Sequence, residues 1–246
     1  IKLTLLASAC ALALAACSKK EEAVDVAKPA AAETVAAAES GHTAGYNEDR
    51  NPYFGQTHQH TGWSFDEAIF NVRLGPDNSY RHARGEKVMH PAGYEVQLKA
   101  PLDFLAVTDH SEYLGVLIRM FDPNDPLSKH PLAKELVESG DDIAKSTKVF
   151  YNLVKTTIQP DGSVHADPVL GAPELKQSIW DQYVKIADSY NEPGKFTALV
   201  GYEWSSQPNM SNLHRNVIFR SNTGMSVPFS YFDSQKPEDL WKWMDE

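Results

Sequence analysis

Residues 53–66 read Tyr-Phe-Gly-Gln-Thr-His-Gln-His-Thr-Gly-Trp-Ser-Phe-Asp. Tyr53 to Thr57 is a strand-like run that delivers His58 and His60 at its C-terminal end. On an extended backbone alternate side chains share a face, so the two imidazoles point the same way and Gln59 turns opposite. That is a chelating geometry for one metal ion. A His-x-His pair is a weak motif by itself. Its weight comes from polar residues further along the chain: Thr108, Asp109 and His110, then Glu203 and His214.

The next apolar run is Leu102, Phe104, Leu105, Ala106 and Val107. It is apolar on both faces, as a parallel strand covered by helices is, and it ends in Thr108, Asp109 and His110. A third run, Phe196 to Trp204, carries Ala198, Leu199 and Val200 ahead of Gly201, Tyr202 and Glu203. Three buried strands each closing in His or carboxylate residues is how barrel-type α/β folds place their chemistry. Asn216 to Phe219 comes too soon for a parallel crossover, which predicts a hairpin return. A returning strand begins beside the end of the one before it, so His214 is expected near Glu203. Each residue has an ordinary alternative: Asp109 capping a turn, Glu203 pairing with an arginine, His110 a satisfied core histidine. Their convergence argues for a site.

Pro76 and Asp77 start a helix with Tyr80 and Ala83 inward and Gly85 beyond its end. The 85 residues between His110 and Phe196 exceed what one crossover helix needs, so this segment is read as a crossover with a helical insertion at about 111–172. Ile143, Phe150, Leu153, Val154 and Ile158 fit one helical face. Leu175, Ile179, Tyr183, Ile186 and Tyr190 fit another, which is expected to pack on the sheet. The insertion is expected to cover the site, with His130 and His165 on its surface. Pro237 to Met244 opens a last helix.

A formal net charge of −10 argues against a nucleic-acid duplex held by phosphate contacts. It leaves a small phosphate substrate open, because bound divalent metals supply local positive charge. The only cysteines are Cys10 and Cys17, so no internal disulfide or thiolate metal site is available further on.

Lys2, an apolar run from Leu3 to Ala16 and then Cys17 have the layout of a secretory signal. The run is too short to span a bilayer. Leu14, Ala15, Ala16 and Cys17 resemble the lipobox of bacterial lipoproteins, which implies cleavage before Cys17 and lipidation of it. Ser18 behind it points to the periplasmic face of the outer membrane. Residues 18–45 contain no aromatic, Leu or Ile and read as a disordered Ala/Glu/Lys/Pro tether. Residues 46–246 then form the globular part. A start at Ile1 rather than Met leads us to expect at least one further residue upstream.

His58, Gln59, His60 and Thr61 with Ser64 and Asp66, then Thr108, Asp109, His110, then Gly201, Tyr202, Glu203 and His214, resemble the polymerase-and-histidinol-phosphatase (PHP) superfamily. From about Asn51 to Glu246 the chain more narrowly resembles the bacterial proteins of domain of unknown function (DUF) 3604. The resemblance implies a distorted seven-stranded β/α, TIM-like barrel with two or three metal ions at its C-terminal mouth, most often a phosphoesterase. It implies that His58 and His60 hold one ion, that Glu203 bridges it to a second held by His214, and that Asp66 and His110 serve a third. Glu203 and Asp109 take the catalytic roles. The pattern also requires a further histidine and a late Asp-x-His pair, which are expected beyond Glu246, so the chain reads as the N-terminal part of the barrel. Imidazole and carboxylate without thiolate suit Zn, Mn or Fe. Paired ions activate water and clamp phosphoryl oxygens, with Arg73, Arg81 and Arg215 as candidate extra phosphate contacts. An amidohydrolase-type barrel also opens with His-x-His, and a non-catalytic metal- or ligand-binding lipoprotein is the other alternative.

Overall fold

The computed structural model describes residues 47–161, 163–207, 211–221 and 226–246. Cys17 and the proposed signal and tether lie outside the described residues. Strand β1 (Gly55–Gln56) is followed by helices α1 (Phe65–Ile69) and α2 (Pro76–Ala83), the small antiparallel pair β2 (Val88–Met89) and β3 (Glu95–Val96), and β4 (Phe104–Val107). Then come α3 (Val116–Arg119), a 3-10 turn (Pro126–Lys129), α4 (Pro131–Ser139), α5 (Ile143–Thr157) and α6 (Pro173–Tyr190). Strands β5 (Thr197–Trp204) and β6 (Arg215–Ile218) and helix α7 (Pro237–Asp245) complete the order.

The main sheet has the order β1-β4-β5-β6 and curls as a half-barrel. β1, β4 and β5 run parallel and β6 returns antiparallel on β5. The fold is therefore mixed α/β with a four-stranded half-barrel, coarser than the expected seven-stranded barrel. Register is carried by Phe104 opposite Thr197 and by Glu203 opposite Asn216. Pairing continues past the strand ends, where the site lies. Thr108 N donates to Gln59 O at 2.8 Å, Glu203 N to Asp109 O at 3.0 Å and Ser111 N to Glu203 O at 2.9 Å.

Alternation along these strands sorts the side chains. Leu105 and Val107 of β4, with Ala198, Val200, Tyr202 and Trp204 of β5, enter the buried core under the helices. Each buried aliphatic chain of this kind contributes about 1.5–3 kcal/mol. α2 and α6 form the covering layer: Tyr80 OH donates to Leu199 O at 3.0 Å, and Trp180 stacks on Tyr183 at 5.6 Å and meets Tyr202 edge-on at 6.2 Å. α2 begins at Pro76 and buries Tyr80 and Ala83, as the pattern predicts.

Two expectations need correction. β1 is not a buried strand: it spans only Gly55–Gln56, both exposed, and Tyr53 and Phe54 are 67% and 66% exposed. Among the described residues it pairs with β4 alone, and an edge strand lacks the second neighbour that would cover it. Gly55 is required there, because a Cβ would collide with the carbonyl and ring of Phe104. In α5 the buried stripe is Ser146, Val149, Leu153 and Thr157, whereas Ile143 and Ile158 are exposed. The helix runs Ile143–Thr157, so those two residues sit at its ends, where the packed face has run out.

Candidate metal centre

The concave face of the half-barrel collects the polar side chains because of strand parity. On β4 and its extension, Thr108 and His110 alternate with Asp109 and so fall on the face opposite the helix-covered one. After β1, Gln59 turns away and its Nε2 donates to Ser79 Oγ of α2 at 3.1 Å. His58 and His60 therefore face the same space, their ring centroids 4.8 Å apart. Thr108 Oγ1 lies 2.8 Å from His58 Nδ1 and orients that ring.

Glu203 is the hub. Its Oε2 lies 2.5 Å from His60 Nε2 and 3.9 Å from His58 Nε2 and from His110 Nε2. Its Oε1 lies 2.5 Å from His214 Nδ1. The hairpin geometry thus brings His214 to Glu203 as expected. Asp66 closes the other side, with Oδ2 3.2 Å from His60 Nδ1 and 3.5 Å from His110 Nε2. Three overlapping groups result: His58, His60 and Glu203; His60, Asp66 and His110; His110, Glu203 and His214.

Crowding sets the electrostatics of the cluster. Burial works against a charged His60, but the hydrogen bonds of Asp66 and Glu203 outweigh it and raise its pKa to about 10. Burial also works against ionised Glu203, yet His214 and His60 hold its carboxyl well below the usual carboxylate range. Asp66 is held low in the same way by His110 and His60. The carboxylates are thus ionised and share the imidazoles, the state from which a cation displaces protons.

The donor set fits a divalent ion. Within each group the ligand atoms lie within 4.8 Å of one another. An ion bonding each at about 2.0–2.2 Å would draw such atoms closer together. Nitrogen and carboxylate oxygen without sulfur match Zn, Mn or Fe and do not choose among them.

Asp109, to which the resemblance gives a catalytic role, belongs to none of these groups. Its parity puts it on the helix side, fully buried. There it accepts hydrogen bonds from Thr61 N and, at 2.8 Å, from Thr61 Oγ1. Its own amide donates to Tyr183 OH at 3.3 Å. Burial pushes its pKa up to about 7, against the lowering by Thr61. The arrangement makes it a positioning residue that ties the His60–Thr61 turn to the end of β4.

Of the arginines, Arg73 donates to Ala68 O and Val72 O at 2.7 and 3.1 Å and sits over the Phe121 ring, while Arg81 pairs with Glu86 at 3.0 Å. Both serve local structure. Arg215, exposed, donates to the His214 carbonyl at 2.8 Å and is the one of the three that adjoins a cluster residue in sequence. Ser64, named in the sequence only as part of the resemblance, accepts from His110 N at 3.1 Å with its Oγ, whereas sequence reasoning missed Ser205, whose Oγ lies 2.5 Å from His110 Nδ1. It also missed Glu112, 3.8 Å from His110 Nδ1. The available signal for Glu112 was its position two residues beyond His110.

Among the described residues no helix is long and apolar enough to cross a membrane. Neither a curated protein nor a solved structure matches the chain. One family model, described as Protein of unknown function (DUF3604), matches residues 47–246, the whole stretch that carries the strands, the helices and the histidine–carboxylate cluster. The chain belongs to the DUF3604 family.

Proposed function

We propose that the protein is a metal-dependent hydrolase of the PHP type, acting on phosphoesters, and that the half-barrel is part of a distorted seven-stranded β/α barrel. The observation that carries this reading is the convergence of three ligand groups on shared residues, with Glu203 common to two of them. A carboxylate with one oxygen near His60 and the other near His214 supports a reading in which Glu203 would serve more than one ion. His58 and His60 would hold one ion with it, His214 a second, and Asp66 with His110 a third.

Bound divalent ions would activate water and neutralise charge on a phosphoryl group. The chain's own residues do the rest. Thr108 and Ser205 fix the rings of His58 and His110 by hydrogen bonds at 2.8 and 2.5 Å, the kind of outer contact that sets which imidazole nitrogen is free to ligate. Asp109 locks the turn that carries His60. Arg215, exposed and next to His214 in the chain, is kept as the candidate contact to a substrate phosphate, although it pairs with Trp204 and so starts from the face opposite Glu203. The choice of phosphoesters comes from the family resemblance; the residues themselves support metal-assisted hydrolysis.

We also propose that the protein is exported and lipid-anchored through Cys17 at the periplasmic face of the outer membrane. The support is the lipobox-like order Leu14 to Cys17 and the polar tether behind it.

The decisive experiment uses the full-length protein loaded with Zn or Mn and assayed on phosphomonoesters, phosphodiesters and carboxylic esters, beside Glu203→Ala. The variant is expected to be slower by at least about a thousandfold, several kcal/mol of transition-state stabilisation. Equal rates in the two proteins, or turnover of carboxylic esters alone that is indifferent to chelator, would overturn the reading. Stable metal binding with no turnover of any ester would favour a non-catalytic binding protein.

A further inference from the structure

His110 has two sides. Its Nε2 faces Asp66 and Glu203, at 3.5 and 3.9 Å. Its Nδ1 faces Ser205 and Glu112, at 2.5 and 3.8 Å. On this second side α5 and the segment after β4 wall a pocket of about 70 Å3, lined among others by Phe65, Tyr113, Phe150, Leu153, Tyr231 and Phe232, with Glu112 and Ser205 in its wall. Phe65 belongs to both places: it stacks on Phe150 at 5.4 Å and packs against the His110 imidazole at 4.6 Å.

Glu112 is the unexplained group. Its side chain is only 8% exposed. Oε1 accepts from Ser111 Oγ at 3.2 Å and from Tyr231 N at 2.7 Å. Oε2 is buried and has no hydrogen-bond partner among the described residues. A buried acceptor left without a donor is costly, and an aromatic wall does not supply one. The pocket thus has an apolar surface, and Glu112, whose Oε2 lacks a donor just behind that surface, stands in its wall.

We propose that this pocket is the specificity subsite, taking a small apolar group, a single ring or a branched chain, that carries a hydroxyl or ammonium proton for Glu112 Oε2. The proposal rests on the reading of the histidine–carboxylate cluster as the reacting centre, from which His110 separates the pocket. Size supports one group rather than a whole ligand, because the volume is far below the roughly 300–1,000 Å3 that a drug-sized molecule fills. It also gives the helical insertion a role, since α5 supplies Phe150, Leu153, Val154 and Thr157 to the wall.

The test is a binding measurement that needs no turnover: ligand-observed NMR titration of the metal-loaded full-length protein with benzyl alcohol, benzylamine and toluene. Saturable binding of benzyl alcohol or benzylamine, at least about tenfold tighter than toluene, is expected from one hydrogen bond to the Glu112 oxygen that otherwise lacks a donor. The tighter of the two identifies a neutral or a cationic group. Val154→Trp, which fills the pocket, should abolish binding, and the isosteric Glu112→Gln should bring the preferred probe down to the level of toluene. Equal affinity for all three probes, no saturable binding, or undiminished binding in both variants would overturn the proposal. Glu203→Ala separates the two readings: hydrolysis is lost there while probe binding stays. Probe binding in a protein that hydrolyses no ester would overturn the hydrolase reading and leave the pocket standing.

Discussion

Glu203 Oε1 and His214 Nδ1 are 2.5 Å apart across an antiparallel pair, although eleven positions separate them in the chain. The same carboxylate reaches His60, 143 positions away, with its other oxygen. One side chain therefore joins ligands from three segments, and the consequences of removing each ligand are unequal.

Glu203, His60 and His110 each belong to two of the three ligand groups, whereas His58, Asp66 and His214 belong to one. Alanine at any of the first three is expected to remove more bound metal per chain than alanine at any of the second three. Metal content after extensive dialysis, measured by inductively coupled plasma mass spectrometry, decides it. Equal losses at His58 and His60 would contradict the shared-ligand geometry.

Asp109 should matter to stability first. Asp109→Ala leaves the buried Thr61 amide and hydroxyl without their acceptor, at a cost of about 1–3 kcal/mol for each donor. At this size each kcal/mol lowers Tm by about 2–4 °C. Thr61→Val should show part of the same loss. If Asp109→Ala abolishes activity with Tm unchanged, the residue acts on substrate and not through the turn.

Gly55→Ala places a methyl group against the Phe104 backbone and ring, where β1 pairs with β4. Overpacking of this kind costs about 1–3 kcal/mol. Because the strand leads directly to His58 and His60, metal content should fall along with Tm. A wild-type melting curve and full metal content would show that β1 shifts freely and does not hold the histidines.

Cys17→Ser tests the anchor. Cells fed an alkyne analogue of palmitate are expected to label the wild-type protein and hold it in the membrane fraction, and to do neither for the variant. Unchanged labelling and fractionation would remove the lipid-anchor proposal.

Much of this protein is written locally. Alternating and continuous apolar runs mark β4, β5 and β6 because burial acts on each residue through its own side chain, and α2 is announced by Pro76 and its inward Tyr80 and Ala83. His58, His60, Asp66, His110, Glu203 and His214 stand out for the same reason: ligand chemistry belongs to the residue type, and strand ends are legible. The closeness of His214 to Glu203 comes from hairpin length alone. What tertiary structure decided is direction and neighbourhood. Asp109 and His110 are adjacent letters, yet parity and the covering helices send one under α6 and the other into the cluster. β1 proved exposed because nothing in its own residues says whether a second strand will flank it. Glu112, Ser205 and the aromatic pocket became visible only when α5, β5 and the segment around Tyr231 met, since an unpartnered oxygen is defined by what the rest of the chain fails to bring to it.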